Sequence, residues 1–346
     1  MTRCRTYHPA LSRTLALAIA LLVTAAWSYG QLIPNLGGQR AGISAFQFLK
    51  IDAGARGVGM GGTFVAVAND VSALYWNPAG LAQVEENQIL ATHTNYVVDI
   101  QHEFLAASYH LSSNDAVGFS VTSLHTDDME ITTETQPFGT GRYFSFGDLA
   151  FGATYSRKMT DQFSFGITIR YVEETLDILK MRGVVADIGT YYWTGLGTSR
   201  FAVVVSNFGG DVAPTGDVTQ YSGETISSFQ SFSPPTRFKL GFAMEPFDWQ
   251  DQRLTTSLEL NHPNDNAENI HLGLEYGYRE RLFLRAGVKR TIGESLLGAD
   301  ESGASDLAFG AGVVMPVGAN RITVDYAFAN FNALGSVHMF SVGVTY

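Results

Sequence analysis

From about Asn87 onward the chain falls into segments of roughly ten residues in which apolar side chains alternate with small or polar ones, and no other feature restricts the fold as strongly. A period of two marks a strand with two unlike faces. Phe163, Phe165, Ile167, Ile169 and Tyr171 share one face, and Ser164, Gly166, Thr168 and Arg170 share the other. Phe238, Leu240, Phe242 and Met244 are likewise set against Lys239, Gly241, Ala243 and Glu245, and Ile270, Leu272, Leu274, Tyr276 and Tyr278 against His271, Gly273, Glu275 and Gly277. Leu254, Thr256, Leu258 and Leu260 oppose Thr255, Ser257, Glu259 and Asn261, while Ile322, Val324, Tyr326 and Phe328 oppose Arg321, Thr323 and Asp325. An oily row on every strand, with Arg170, Asp187, Lys239, Glu259, Glu275, Arg285, Lys289 and Asp325 on the opposite face, suits a closed sheet in a bilayer, where no backbone group can be left unbonded.

Weaker segments near 88–98, 103–111, 115–125, 146–156, 183–193, 200–206 and 305–315 bring the count to about fourteen strands, an even number. Links also alternate in length. Short ones such as Ser112 to Asn114 and Pro316 to Ala319 read as periplasmic turns; long polar ones such as Asp127 to Ser145, Phe208 to Thr236 and Ile292 to Gly303 read as outer loops. The predicted fold is all-β, a transmembrane antiparallel β-barrel. Its closing segment, Val337 to Tyr346, alternates Phe340, Val342, Val344 and Tyr346 with small residues and is expected to pair with the first strand, so Phe340 and Tyr346 are assigned to barrel assembly. Tyr96, Tyr109, Tyr155, Tyr171, Tyr192, Tyr278, Phe328 and Tyr346 fall near strand ends, where amphipathic rings favour the headgroup level.

Among the 346 residues, 45% are hydrophobic, yet no late run approaches the ~18 apolar residues of a membrane helix, which excludes a helical membrane protein. Arg3, Arg5 and Arg13 precede an apolar stretch from Leu15 to Trp27 and small residues at Ser28 and Gly30, the pattern of a secretory signal peptide. Cleavage after Gly30 is expected, with Ala25 and Ala26 as competing sites. The predicted organisation is therefore a signal peptide over 1–30, a plug over 31–86 and a barrel over 87–346. The single cysteine, Cys4, lies before the apolar stretch, so the mature chain has no thiol for disulfide, zinc or nucleophilic chemistry. A net charge of −11, from 33 acidic and 22 basic residues, argues against a nucleic-acid partner. Membrane lipids are the partner that the apolar rows demand.

Residues 44–84 do not alternate. The run from Ala53 to Gly62 is too glycine-rich for a stable helix or a lipid-facing strand, and Asp70 to Tyr75 reads as an N-capped helical turn broken by Pro78. Irregular backbone is tolerated at membrane depth only inside a lumen, which makes this segment a plug. The glycines at 57, 59, 61 and 62 lack the flanking strand and helix of a dinucleotide loop and are expected instead to pack closely against the wall.

Phe48-Leu49-Lys50-Ile51, Ala55 to Gly62, Val65 to Asp70 and Tyr75-Trp76-Asn77-Pro78-Ala79-Gly80-Leu81 resemble the amino-terminal signature of the PorV/PorQ family, related to FadL-type outer-membrane transporters. The resemblance implies a 14-stranded barrel in the outer membrane with an amino-terminal plug. It also implies that Asn77, Pro78, Ala79 and Gly80 form a gating element packed against a kinked wall strand beside a lateral opening. A helix stop is the alternative reading of the same residues. The implied function is transport of hydrophobic compounds, or a non-transporting role in type IX secretion in which outer loops bind cargo or partner proteins. The scattered histidines show no metal-ligand spacing, no Gly-x-Ser-x-Gly elbow occurs, and the acidic cluster Asp127, Asp128, Glu130 and Glu134 matches no calcium loop. No catalytic residue, cofactor or metal is therefore expected.

Overall fold

The computed structural model describes residues 42–220, 223–292, 306–331 and 335–346; the segment read as a signal peptide, residues 31–41 and nearly all of the link at 292–303 lie outside these. Fourteen of the alternating segments become barrel strands: β1 (Gln88–Asn95), β2 (Gln101–His110), β3 (Asp115–His125), β4 (Phe146–Lys158), β5 (Phe163–Leu176), β6 (Leu179–Trp193) and β7 (Arg200–Gly209). The second half comprises β8 (Arg237–Trp249), β9 (Gln252–Pro263), β10 (Asn269–Tyr278), β11 (Leu282–Thr291), β12 (Asp306–Val317), β13 (Asn320–Asn330) and β14 (Ser336–Thr345). Each strand pairs antiparallel with its chain neighbours, and β1 pairs with β14 from Gln88 opposite Thr345 to Asn95 opposite His338, so the sheet closes with no edge.

The alternation sorts side chains as expected. Phe242, Leu258, Leu274 and Val324 are 40–48% exposed on the outer, lipid-facing surface. Arg170, Asp187, Lys239, Glu259, Glu275, Arg285 and Asp325 are buried in the lumen, and Lys289 is half-buried. Tyr109, Tyr155, Tyr171 and Tyr346 are exposed. Tyr96 departs from the expected girdle: it lies just past β1, where the chain leaves its alternation, and lines a luminal cavity with its ring 5.9 Å from that of Phe331.

Three details of the links differ from the sequence reading. β12 runs through Pro316 and Val317, leaving only 318–319 as the turn. On the outer side, β5 and β6 are joined by Asp177 and Ile178 alone; this hairpin projects through its 14- and 15-residue strands rather than through a long link. The two long outer links each fold on themselves, Met129–Glu130 pairing with Tyr143–Phe144 and Val218–Thr219 with Thr225–Ile226.

The plug fills the lumen. It contains a 3-10 turn (Gln47–Lys50), α1 (Ala55–Gly59), α2 (Ala73–Trp76) and a second 3-10 turn (Pro78–Gln83). The helical turn α1 within the glycine-rich run contradicts the expectation of no helix there. One turn is unstable in isolation, but Ala55, Gly57, Val58 and Gly59 are all buried, so packing supplies what propensity does not. Asp70 acts ahead of α2, its Oδ1 accepting the Ser72 backbone N–H at 2.9 Å.

Candidate functional site

Plug and wall meet through glycine. A methyl group on Gly118, Gly166, Gly189, Gly241, Gly273 or Gly287, all on the luminal face, would collide respectively with Leu74, Pro78, Asn77, Val65, Met60 or Gly61 of the plug. At Gly310 the two main chains almost touch, since a Cβ there would lie 3.0 Å from the Gly59 Cα. Gly61 adds a second requirement: at φ +70° it occupies the left-handed region, and a side chain would press on the Val288 nitrogen at 2.7 Å. Alternation places Gly166, Gly241 and Gly273 on the luminal face, whereas Gly118, Gly189 and Gly310 lie in the weaker segments; their common role as seats for the plug is visible only in the structure. The available signal was their recurrence near the inward midpoint of successive strands.

Charged groups tie the two parts together. Arg56 of α1 donates from Nε and Nη2 to both oxygens of Glu275 on β10, each at 2.8 Å, and from Nη1 to Asp70 at 2.8 Å. Glu275 also accepts from Arg285 of β11 at 2.7 Å, and Arg285 reaches Asp325 of β13 at 2.6 Å. The network therefore spans the lumen from plug to wall. Glu259 accepts the backbone N–H groups of Phe64 and Val65 at 3.1 and 3.3 Å, while the Lys239 ammonium lies 5.1 Å from the Trp76 ring centre. Burial pushes the Tyr75 hydroxyl well above its ordinary range, so it stays protonated while donating to Asp52 at 3.2 Å and accepting from Arg237 at 3.3 Å. At the closing seam, Ser341 of β14 contacts Thr92 of β1 at 2.8 Å and accepts the Ala55 N–H of the plug at 2.9 Å, while the Val71 N–H donates to Gln88 of β1 at 2.9 Å.

Asn77, Pro78, Ala79 and Gly80 come together against β5 and β6, all buried. Asn77 Nδ2 donates to Val65 O within the plug at 2.9 Å and to Thr190 O of β6 at 3.1 Å, and its Oδ1 accepts the Ala79 N–H at 3.0 Å. Pro78 therefore both ends α2 and opens a new helical turn capped by Asn77. Gly80 lies against Ala68. The wall ladder keeps its register at Thr190 and Val203 but breaks three residues away, where Ser206 and Asn207 of β7 together face Asp187 of β6. Asn207 sits at φ 58°, its N–H bonded to Asp187 at 2.7 Å, and Arg170 holds both side chains while donating to Leu74 O at 2.9 Å. Phe340 and Tyr346 lie elsewhere, on the outside of β14 and at its end; the Tyr346 N–H bonds Asn87 O at 3.0 Å.

Cavities lie on both sides of the plug, and one on each side bears on passage through the lumen. The outer one, about 500 Å³, has a mixed lining: Phe48, Ile51, Ile100, Leu124, Phe146, Phe331 and Met339 supply apolar surface, and Lys50, Asp52, Asp148, Glu174, Arg237 and Lys289 supply charge. The periplasmic one, about 350 Å³, is rimmed by Arg56, Asp70, Arg253, Arg285, Arg321 and Asp325. A chamber on the outer side, a plug in backbone contact with the wall, and a charged vestibule below define an outer-membrane β-barrel with a luminal hatch.

The sequence matches the family described as "Type IX secretion system protein PorV" over residues 36–262, and the chain belongs to that family. Solved structures share the fold. They include the CymD monoaromatic hydrocarbon channel (15% identity, 87% of this chain and 98% of that one, TM-score 0.60). The Ralstonia pickettii toluene transporter TbuX aligns at 12% identity over 85% of this chain and 97% of that one, with a TM-score of 0.54. The Pseudomonas putida toluene transporter TodX aligns at 14% identity over 85% and 97%, with a TM-score of 0.53. No curated protein matches the sequence. The protein resides in the outer membrane.

Proposed function

We propose that this protein takes hydrophobic compounds from the cell surface into its outer cavity and passes them across the outer membrane unchanged. The observation that carries the reading is the chamber of about 500 Å³ above the plug, whose volume and apolar wall of Phe48, Ile51, Ile100, Phe146 and Phe331 suit a small organic ligand. The names of the hydrocarbon and toluene channels that share the fold support it, although at 15% identity or less the likeness is one of architecture. In this reading Asn77, Pro78, Ala79 and Gly80 are the joint at which plug and wall separate, because Asn77 bonds a plug carbonyl and a wall carbonyl with one amide. The adjacent break in the β6–β7 ladder is the weak point of the wall. No chemical step is involved, in keeping with a family and fold neighbours named as secretion-system protein and channels. Uptake of toluene into vesicles containing the purified protein tests the proposal. The protein should accelerate entry, and Asn77→Leu should change the rate while the barrel stays folded; uptake equal to that of empty vesicles refutes transport.

The outer links favour a second reading. The hairpin within 126–145 exposes Met129, Phe138 and Tyr143, and Phe138 is 99% exposed. With the family's printed name, this supports a membrane component of type IX protein secretion that grips cargo or partner proteins through its loops while nothing crosses the lumen. Recovery of a stable protein partner that is lost on Phe138→Ser, with no hydrocarbon uptake, would decide for this reading.

A further inference from the structure

We propose that the outer cavity holds a recognition site for the protonated amine of an otherwise apolar compound, formed by Asp148 on β4 and Glu174 on β5. The inference rests on the outer cavity being a ligand site, as proposed above, and adds the chemistry of the ligand.

Thr94, His102, Leu124, Asp148 and Glu174 stand directly opposite one another across β1 to β5, one cross-strand row on the luminal face. Neighbouring strands are about 4.8 Å apart, so the two carboxylates are side by side. Both line the outer cavity. Asp148 is 4% exposed, and its Oδ1 has no partner among the described residues. Glu174 accepts the Phe46 backbone N–H at 2.9 Å.

The cationic groups of the cavity are engaged or distant. Lys50 is paired with Asp265 at 2.9 Å, and Arg237 donates to Leu49 O and to Tyr75. Lys289 lies on β11, seven strands round the barrel from β4. Asp52, the remaining acid of the lining, accepts from Tyr75. Also without a partner among the described residues are Asn261 Oδ1, an acceptor, the Thr94 hydroxyl, which can donate or accept, and Arg237 Nε, a donor.

Two adjacent buried carboxyl groups without a cation do not both ionise, and an ammonium with its three donors placed between them lets both carry charge while making charge-assisted hydrogen bonds. A hard metal ion fits poorly, since it seeks about six to eight oxygens and here meets two carboxylates beside Ile100 and Phe146. The apolar remainder of the chamber suits the hydrocarbon body of an amine. A carboxylate-bearing compound would be repelled at this rim.

Calorimetric titration of the full-length protein in non-ionic detergent with phenethylamine, 2-phenylethanol and 3-phenylpropionate, three probes of similar size, tests the proposal. The amine should bind about tenfold or more tighter than the alcohol, and the propionate weakest. Asp148→Asn with Glu174→Gln should abolish the preference and leave alcohol binding unchanged; the amide oxygen that Glu174→Gln introduces can still accept the Phe46 N–H, so the plug contact is kept. Equal binding of amine and alcohol by the wild type, or an amine preference that survives both substitutions, overturns the proposal. Equal binding of amine and alcohol overturns this proposal and leaves the transport reading standing, whereas failure of all three probes to bind overturns both.

Discussion

Glu275 is the buried carboxylate through which the wall holds the plug's Arg56, so neutralising it should free the plug without unfolding the barrel. Glu275→Gln keeps the shape and removes the charge. Breaking a buried ion pair by altering one partner costs about 3–5 kcal/mol. Here Arg56 keeps Asp70 and Arg285 keeps Asp325, which places the effect near the lower end. A loss of about 3 kcal/mol shifts the balance between docked and undocked plug by roughly a hundredfold. In planar bilayers the variant should therefore open about a hundred times more often than the wild type, and proteolysis should cut the plug while leaving the strands intact. The double variant Arg56→Met, Glu275→Met should regain most of the closed state, because neither member of the pair is left without the other while Asp70 keeps Ser72 and Arg285 keeps Asp325. Conductance as low as wild type in Glu275→Gln, or a double variant no tighter than the single ones, would refute the assignment of this pair as the principal polar joint.

Placing Arg at Leu274, in the exposed row of β10, should lower the unfolding free energy in lipid vesicles by about 2–4 kcal/mol if the site lies near the midplane; unchanged stability contradicts the outward assignment. Gly287→Ala would force a methyl group into the Met60–Gly61 backbone, and the overpacking, about 1–3 kcal/mol, should appear as faster proteolysis of the plug. Deleting Tyr346 removes an exposed terminal aromatic and its bond to Asn87; insertion followed by gel mobility with and without heating should fall, and normal insertion would show that this end has no special part in assembly.

Strand identity and the two faces were legible because they depend on local alternation: Phe242 and Leu274 point outward for reasons contained in their own segments. The plug was legible for the opposite reason, since a glycine-rich stretch without alternation has no place on a lipid-facing wall. Partnerships across long stretches of chain were not. Arg56 and Glu275 were both recognised as luminal, but nothing within either segment specifies a bond between residues 219 apart. Asn207 escaped notice because its positive φ answers to Asp187 and Arg170 on neighbouring strands rather than to a turn signal of its own. The Asp148–Glu174 pair was hidden by register, which places the two opposite each other only once β4 and β5 are aligned.

The bonds at the closing seam bear on how such a cylinder stays closed. Ser341 on the last strand and Gln88 on the first are each held by a plug N–H, and the inner wall is relieved wherever the plug presses. The plug is thus a clamp on the finished cylinder: it is bonded to both strands of the seam and seated on glycines of seven strands between them, so loosening it loosens the closure as well as the lumen.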